Sequence, residues 1–342
     1  MPTCCWARRP KLAGVNKLLG TAGLALAAGA TRRYWAMRED LAAVAPELRS
    51  PVLPYVSVDY TPRTLPFIRP LYRIKTPVGR GVRVTTKHIS TVRTLVTTPD
   101  VFLRPGPGIL SLHAGGTIVG SPQLESTTHG RLARDLRAVV VSPDYRMSPE
   151  HPFPASLDDC MTALYWMRAN ADELGIDPDR IAVTGASAGG GLAAAVAQRS
   201  LDEGIALRAQ GLVYPMLDDR TVLRDDFDGR GRFVWTPGSN RFAWTSYLGH
   251  APGTAEPPPY AVPARRPDLS GLPPAWVGVG ELDLFYDEDV EYAERLRTAG
   301  VECELVTVPG MYHAADGFAP KAPMVERFQR SLTDFLRRHL VG

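Results

Sequence analysis

The stretch Gly185-Ala186-Ser187-Ala188-Gly189 constrains this chain more than any other. It fits G-x-S-x-G, a strand-to-helix turn that lifts a serine clear of a sheet. Residues 181–184 read as a short buried strand and residues 188–199 as a helix. The turn between them is tight. Its serine backbone is strained and the helix start crowds the preceding strand, so small residues are needed on both sides. The helix start also aims unpaired N–H groups at the serine, which favours negative charge developing there. Standing alone, the pattern is equally compatible with a small-residue turn holding a chance serine, so its context decides.

That context is an alternation. Two β-branched runs at 83–89 and 91–98 predict an antiparallel pair at a sheet edge. Strands are then expected at 108–112, 138–141, 181–184, 209–213, 275–280 and 302–308. Helices are expected at 125–136, 156–170, 188–199, 287–299 and 324–340. Short continuous apolar strands between helices imply an α/β architecture: a mainly parallel central sheet flanked by helices on both faces. The stretch 214–274 breaks the alternation and carries Phe233, Trp235, Phe242, Trp244 and Tyr247. An insertion between sheet strands lies where ligands bind. Its aromatics either line an acyl pocket or pack the insert onto the body.

Before the sheet, residues 35–80 are rich in proline, from Pro46 to Pro77, with short helical patches such as 36–44. They read as a wrapping segment. The chain therefore divides into a cap or targeting segment, 1–80, and a catalytic domain, 81–342. Within the first, Arg8, Arg9, Lys11 and Lys17 precede an uncharged run, 18–31, that contains Ala28-Gly29-Ala30. It is short for a membrane span. A cap helix in a cytoplasmic protein is the favoured expectation; a signal peptide or membrane attachment through residues 1–30 is the alternative.

Lys+Arg 39 against Asp+Glu 36 leaves a net charge of +3 over 342 residues, with no basic stripe to suit a nucleic acid. The 4 cysteines show no C-x-x-C or Cys/His spacing, which argues against zinc. Cys160 and Cys303 are expected as buried thiols, and the Cys4-Cys5 pair is a conceivable lipid acceptor. A homodimer is neither required nor excluded.

A serine hydroxyl needs a base to take its proton, and histidine titrates in the right range. A carboxylate must fix the imidazole tautomer and stabilise it when charged. On this fold the chain order is serine, acid, histidine. His250, His313 and His339 follow Ser187; His313, in the loop 309–313 after the last strand, is best placed to reach back over the sheet. Candidate acids after the 275–280 strand are Glu281, Asp283, Asp287, Glu288 and Asp289. Asp283 is preferred and Glu281 is second; the other three read as charges at a helix N-terminus. An oxyanion needs backbone donors. His113-Ala114-Gly115-Gly116 follows a strand, and its glycines let consecutive amides point one way. With the Ala188 amide they would make an oxyanion hole. His113 reads as a brace for that loop.

These blocks resemble the hormone-sensitive-lipase-like carboxylesterases of the α/β-hydrolase fold, over roughly residues 80–340. HAGG at 113–116 stands for the family's HGG(G), and GASAGG at 185–190 for its G-D-S-A-G-G. DYRMSPEHPFPA at 144–155 and PYAVPARRPDLSGLPPAW at 259–276 are similar to family segments, as are GELDLFYDE and VPGMYHAADGF around the acid and the histidine. The resemblance implies Ser187, Asp283 and His313 as a triad, and Gly115, Gly116 and Ala188 as oxyanion donors. It implies ester chemistry on a small-molecule substrate with no metal or organic cofactor, on short- to medium-chain acyl groups. Ala114 and Ala186 depart from the family pattern. An amidase, thioesterase or acyltransferase would use the same triad. A ligand receptor would not need it. Asp144-Tyr145-Arg146 and Glu150-His151 read as a loop brace behind the site.

Overall fold

The computed structural model describes residues 31–57, 60–253 and 256–341. The chain divides into two compact units, Met1–Ala43 and Val44–Gly342. The described part of the first carries a short helix, Arg38–Ala43. The run 18–30 and Cys4-Cys5, with the readings attached to them, lie outside the described residues. Among the described residues no helix is long and apolar enough to cross a membrane.

In the larger unit, the proline-rich lead-in forms short turns instead of long helices: 3-10 turns at Pro46–Leu48, Leu53–Tyr55 and Arg69–Arg73, and one α-turn at Leu65–Ile68. Each has a proline in its first positions, where a missing N–H costs nothing, and further prolines stop extension.

The sheet has eight strands: β1 Val82–Ile89, β2 Val92–Pro99, β3 Gly106–Leu112, β4 Val139–Pro143, β5 Ile176–Ala186, β6 Ala209–Val213, β7 Ala275–Gly280 and β8 Cys303–Val308. Their order is β1-β2-β4-β3-β5-β6-β7-β8. β2 runs antiparallel to both β1 and β4, and every pair from β4 onward is parallel. The expected edge hairpin and parallel body are both present. The helices are α1 Ser126–Leu136, α2 Ala155–Ala169, α3 Ala188–Asp202, α4 Pro237–Leu248 in the insertion, α5 Tyr286–Thr298 and α6 Pro323–Leu340.

β3, β4, β6 and β7 are buried along their whole length, as a sheet covered on both faces requires. One continuous core joins Leu110, Val141, Val183, Leu212 and Val277 to Leu157, Leu164, Val196 and Leu296 from the covering helices. Cys160 is buried in it as a free thiol; Cys303, expected to be buried, is only partly so because it opens the edge strand β8. The register fixes the functional edge. Leu112 pairs with Gly185, Ala186 with Val213 and Gly280 with Val308. The segments leaving β3, β5, β6, β7 and β8 thus emerge along one rim.

Candidate active site

The rim is built around the β5–α3 turn. Ser187 has φ 56° and ψ −122°, a left-of-normal backbone that a side-chain-bearing residue adopts only under constraint. The constraint is visible. The Ser187 amide donates to the Val213 carbonyl at 2.9 Å, and its carbonyl accepts from Met216 at 3.0 Å and Gly191 at 3.0 Å. The flanking glycines are required by space. A methyl group at Gly185 would lie 2.2 Å from the Gly189 carbonyl oxygen, and one at Gly189 would lie 2.0 Å from that of Leu112.

Ser187 Oγ lies 3.0 Å from His313 Nε2, and His313 Nδ1 lies 2.8 Å from Asp283 Oδ2. The other oxygen of Asp283, Oδ1, accepts the Phe285 amide at 3.0 Å. Exposure is 3% for Ser187, 4% for His313 and 0% for Asp283, so the chain of contacts is shielded from water. The imidazole is boxed edge-on by Tyr214 at 4.8 Å and Phe285 at 5.3 Å, with Trp235 tilted against it at 6.2 Å. Of the alternatives, Glu281 has no hydrogen bond to His313 among the described residues, and its main chain is tied to Val308 and Arg230. His250 is exposed in the insertion, and His339 packs on Phe335 at the end of α6.

The loop after β3 leaves the sheet beside the serine turn, since Leu112 pairs with Gly185. Gly115 has φ 126° and Gly116 φ 60°. Their amides and that of Ala188 donate to no acceptor among the described residues. Gly116 and Ala188 are buried and Gly115 is partly so, a setting in which a backbone amide ordinarily has an acceptor. The loop is braced from behind. Tyr145 donates its hydroxyl to the His113 carbonyl at 2.7 Å and stacks on the His113 ring at 3.9 Å. Burial lowers the His113 pKa to about 4, so this ring is neutral and structural. Asp144 pairs with Arg93, Arg146 with Asp159, and Glu150 with Arg69, so the expected brace is present.

Several polar groups here escaped the sequence reading. Glu125 Oε1 accepts the Ala114 amide at 2.7 Å, fixing the residue that precedes the two glycines. Burial pushes its carboxyl up to about 7. Tyr214 donates to Asp316 at 2.7 Å beside His313, and burial raises the pKa of both. Asp287, Glu288 and Asp289 all lie in the first turn of α5, as read, but only Asp287 is open to ion pairs, with Arg224 and Arg230. Glu288 turns inward and accepts the amides of Leu217 at 2.7 Å and Asp218 at 3.1 Å, because the first turn of α5 faces the start of the insertion. Asp289 is 0% exposed with neither oxygen partnered among the described residues, and burial raises the pKa of both acids.

The insertion covers the rim. Trp235, Trp244 and Tyr247 join Tyr60, Leu65, Ile118, Ala188 and Met216 in a second apolar cluster. Phe233 is buried beside Tyr312, and Phe242 is half-buried. A small cavity of about 10 Å³, the size of one water, is lined by Thr117, Ala188, Gly191, Met216, Trp244 and Tyr247. Of the two readings of the aromatics, packing of the insert onto the body is the one observed; Trp244 and Tyr247 also border the small space next to Ala188.

The rim defines a serine hydrolase of the α/β-hydrolase fold, and comparison with known proteins agrees. A family model described as an alpha/beta hydrolase fold matches residues 109–316. The chain belongs to this family, in its hormone-sensitive-lipase-like branch. Carboxylesterase NlhH of Mycobacterium tuberculosis is 37% identical over 231 residues, covering 66% of this chain and 71% of the relative. An arylesterase of Saccharolobus solfataricus is 35% identical over 208 residues, covering 60% and 67%. Among solved structures, a bacterial heroin esterase is similar with a TM-score of 0.80 at 34% identity, covering 88% of this chain and 99% of its own.

Proposed function

We propose that this protein is a serine carboxylesterase and that Ser187, His313 and Asp283 carry the reaction. The contact of Ser187 Oγ with His313 Nε2 at 3.0 Å, backed by Asp283 at 2.8 Å, supports this reading above all else. Ser187 Oγ attacks the ester carbonyl carbon and its proton passes to His313 Nε2. Asp283 holds Nδ1–H in place and stabilises the imidazolium. The amides of Gly115, Gly116 and Ala188 take the negative oxygen. Collapse breaks the bond to the leaving oxygen, which collects the proton from Nε2. Water then repeats the sequence on the acyl-serine, releasing the acid and restoring Ser187. Relatives named as carboxylesterase and arylesterase favour ester over amide substrates.

The test is burst release of p-nitrophenol from p-nitrophenyl butyrate, together with labelling by a fluorophosphonate probe. A burst equal to the enzyme concentration and a single label on Ser187 are expected. Absence of both, in folded protein, overturns the assignment.

A further inference from the structure

The proline-rich lead-in is apolar on two sides. Its α-turn Leu65–Ile68 runs directly into the 3-10 turn Arg69–Arg73, so the segment makes consecutive helical turns. Leu65, Ile68 and Tyr72 follow helical spacing and pack inward, against the second apolar cluster. Phe67, Leu71 and Ile74 follow the same spacing on the other side. They are 81%, 63% and 59% exposed. Single exposed apolar residues are ordinary on a protein surface, but three large ones on one side of one segment mark an interaction site.

This exposure is fixed by the backbone. Arg69 donates through Nε to the Ile118 carbonyl at 2.9 Å and through Nη2 to the Ser148 carbonyl at 2.7 Å. Ser121 donates its hydroxyl to the Tyr72 carbonyl at 2.6 Å, and the Tyr60 and Tyr72 hydroxyls are hydrogen-bonded to each other. The Thr76 amide donates to the Gln123 carbonyl at 3.1 Å. With its inner side tied down in this way, the segment cannot roll Phe67, Leu71 and Ile74 into the body.

The charge of the segment has one sign. Residues 60–81 hold Arg63, Arg69, Arg73, Lys75 and Arg80 and no aspartate or glutamate, in a chain whose net charge is only +3. Glu150 takes up Arg69. Arg73 reaches Asp144 only at 3.9 Å, and Arg93 already holds that acid at 3.1 Å. Arg63 and Lys75 are exposed, one before and one after the apolar residues, with no ion pair among the described residues.

Apolar side chains edged by free cations suit a lipid surface with anionic headgroups. The apolar groups enter the boundary between headgroups and acyl chains, and the cations stay with the anionic groups above it. A second copy of this chain fits poorly, because a two-fold contact would bring two cationic faces together.

We propose that Phe67, Leu71 and Ile74, flanked by Arg63 and Lys75, form a docking surface that seats the protein on an anionic lipid bilayer. The inner side of the same segment packs on the cluster that contains Ala188, so docking brings the bilayer to the outer side of the cover over the serine.

The test is co-sedimentation of the full chain with vesicles of phosphatidylcholine containing about 30 mol% phosphatidylserine, and with vesicles of phosphatidylcholine alone. Binding should be at least about tenfold tighter to the anionic vesicles and should weaken at high salt. Phe67→Ser should weaken it by about tenfold, and Arg63→Gln combined with Lys75→Gln by at least as much. Tm should stay the same in these variants, because the altered side chains face water. Phe67→Trp reports on the face itself: its added emission should shift to the blue on anionic vesicles and be quenched by brominated lipid. Failure to bind the anionic vesicles overturns the proposal. So does binding that Phe67→Ser leaves intact, as attachment through another part of the chain would give. Added emission already shielded from water before vesicles are present also overturns it, since a second copy or another segment then covers the face. None of these readings uses ester hydrolysis, so loss of the esterase assignment would leave them unchanged.

Discussion

At the rim of the sheet, Ser187 is held by main-chain hydrogen bonds to Val213, Met216 and Gly191, and the glycines two residues to either side have no space to spare. In the insertion above it, Trp235, Trp244 and Tyr247 are held by rings against rings. The first arrangement tolerates almost no change, because a backbone cannot give way to an added methyl group. The second can be repacked at modest cost, because side chains can. The rim is fixed where backbone touches backbone, and the insertion where side chains touch side chains.

The largest expected effect is at the rim. Ser187→Ala should lower ester hydrolysis by about 10⁴-fold or more in a folded protein, measured with p-nitrophenyl butyrate. A drop below about tenfold would place the nucleophile elsewhere. Next, Asp283→Asn should reduce kcat by about 10³–10⁴-fold with KM little changed, because the imidazole loses the partner that fixes its tautomer. Glu281→Gln, two residues away and out of reach of His313, should change kcat by less than about threefold. The reverse ranking would move the acid to Glu281.

The contrast between rim and insertion can be tested through stability. Gly189→Ala forces a methyl group to within 2.0 Å of the Leu112 carbonyl oxygen and 2.6 Å of that of His113. It should cost about 4 kcal/mol or more in denaturant unfolding. Phe242→Ala, half-buried in the insertion, should cost about 1–2 kcal/mol. Similar costs for the two would erase the distinction.

The smallest effect concerns pH. Burial holds the Glu125 carboxyl at about 7 in place of 4.5. The folded chain therefore keeps a proton that the unfolded chain releases, and stability from this group falls as pH rises between those two values. Glu125→Gln keeps an acceptor for the Ala114 amide but does not titrate. Between about pH 5 and pH 8, Tm of the unaltered protein should fall relative to the variant by a few degrees. Parallel Tm curves would show that Glu125 is ionised throughout.

What could be read from the sequence follows the same division. The serine turn, the order of acid and histidine, and the glycine loop after β3 are backbone devices, and backbone devices leave signatures in residue type and spacing. The inward acids leave a weaker one. In α5 the buried positions are Glu288, Asp289, Tyr292, Ala293 and Leu296, a single helical stripe, so the spacing already puts both carboxylates on the inner face. Glu125 likewise precedes His129, Leu132 and Leu136 on the buried stripe of α1. A reading as helix-end charges leaves out that position, and position decides when amides such as those of Leu217 and Ala114 need an acceptor. Trp235 could be read only as one of the insertion's aromatics, without its contacts. It sits in an irregular segment whose path depends on tertiary contacts.

The ties that hold the insertion have a consequence for how fast substrates come and go. Met216 is bonded to Ser187, Leu217 and Asp218 to Glu288, Gly231 to Leu282, and the Tyr247 carbonyl to Phe153. A cover riveted at so many points cannot swing as one body without dragging the serine with it. Passage to Ser187 then falls to single side chains turning aside. Rotamer changes of that kind are far faster than the μs–ms closure of a hinged lid, so access need not limit turnover.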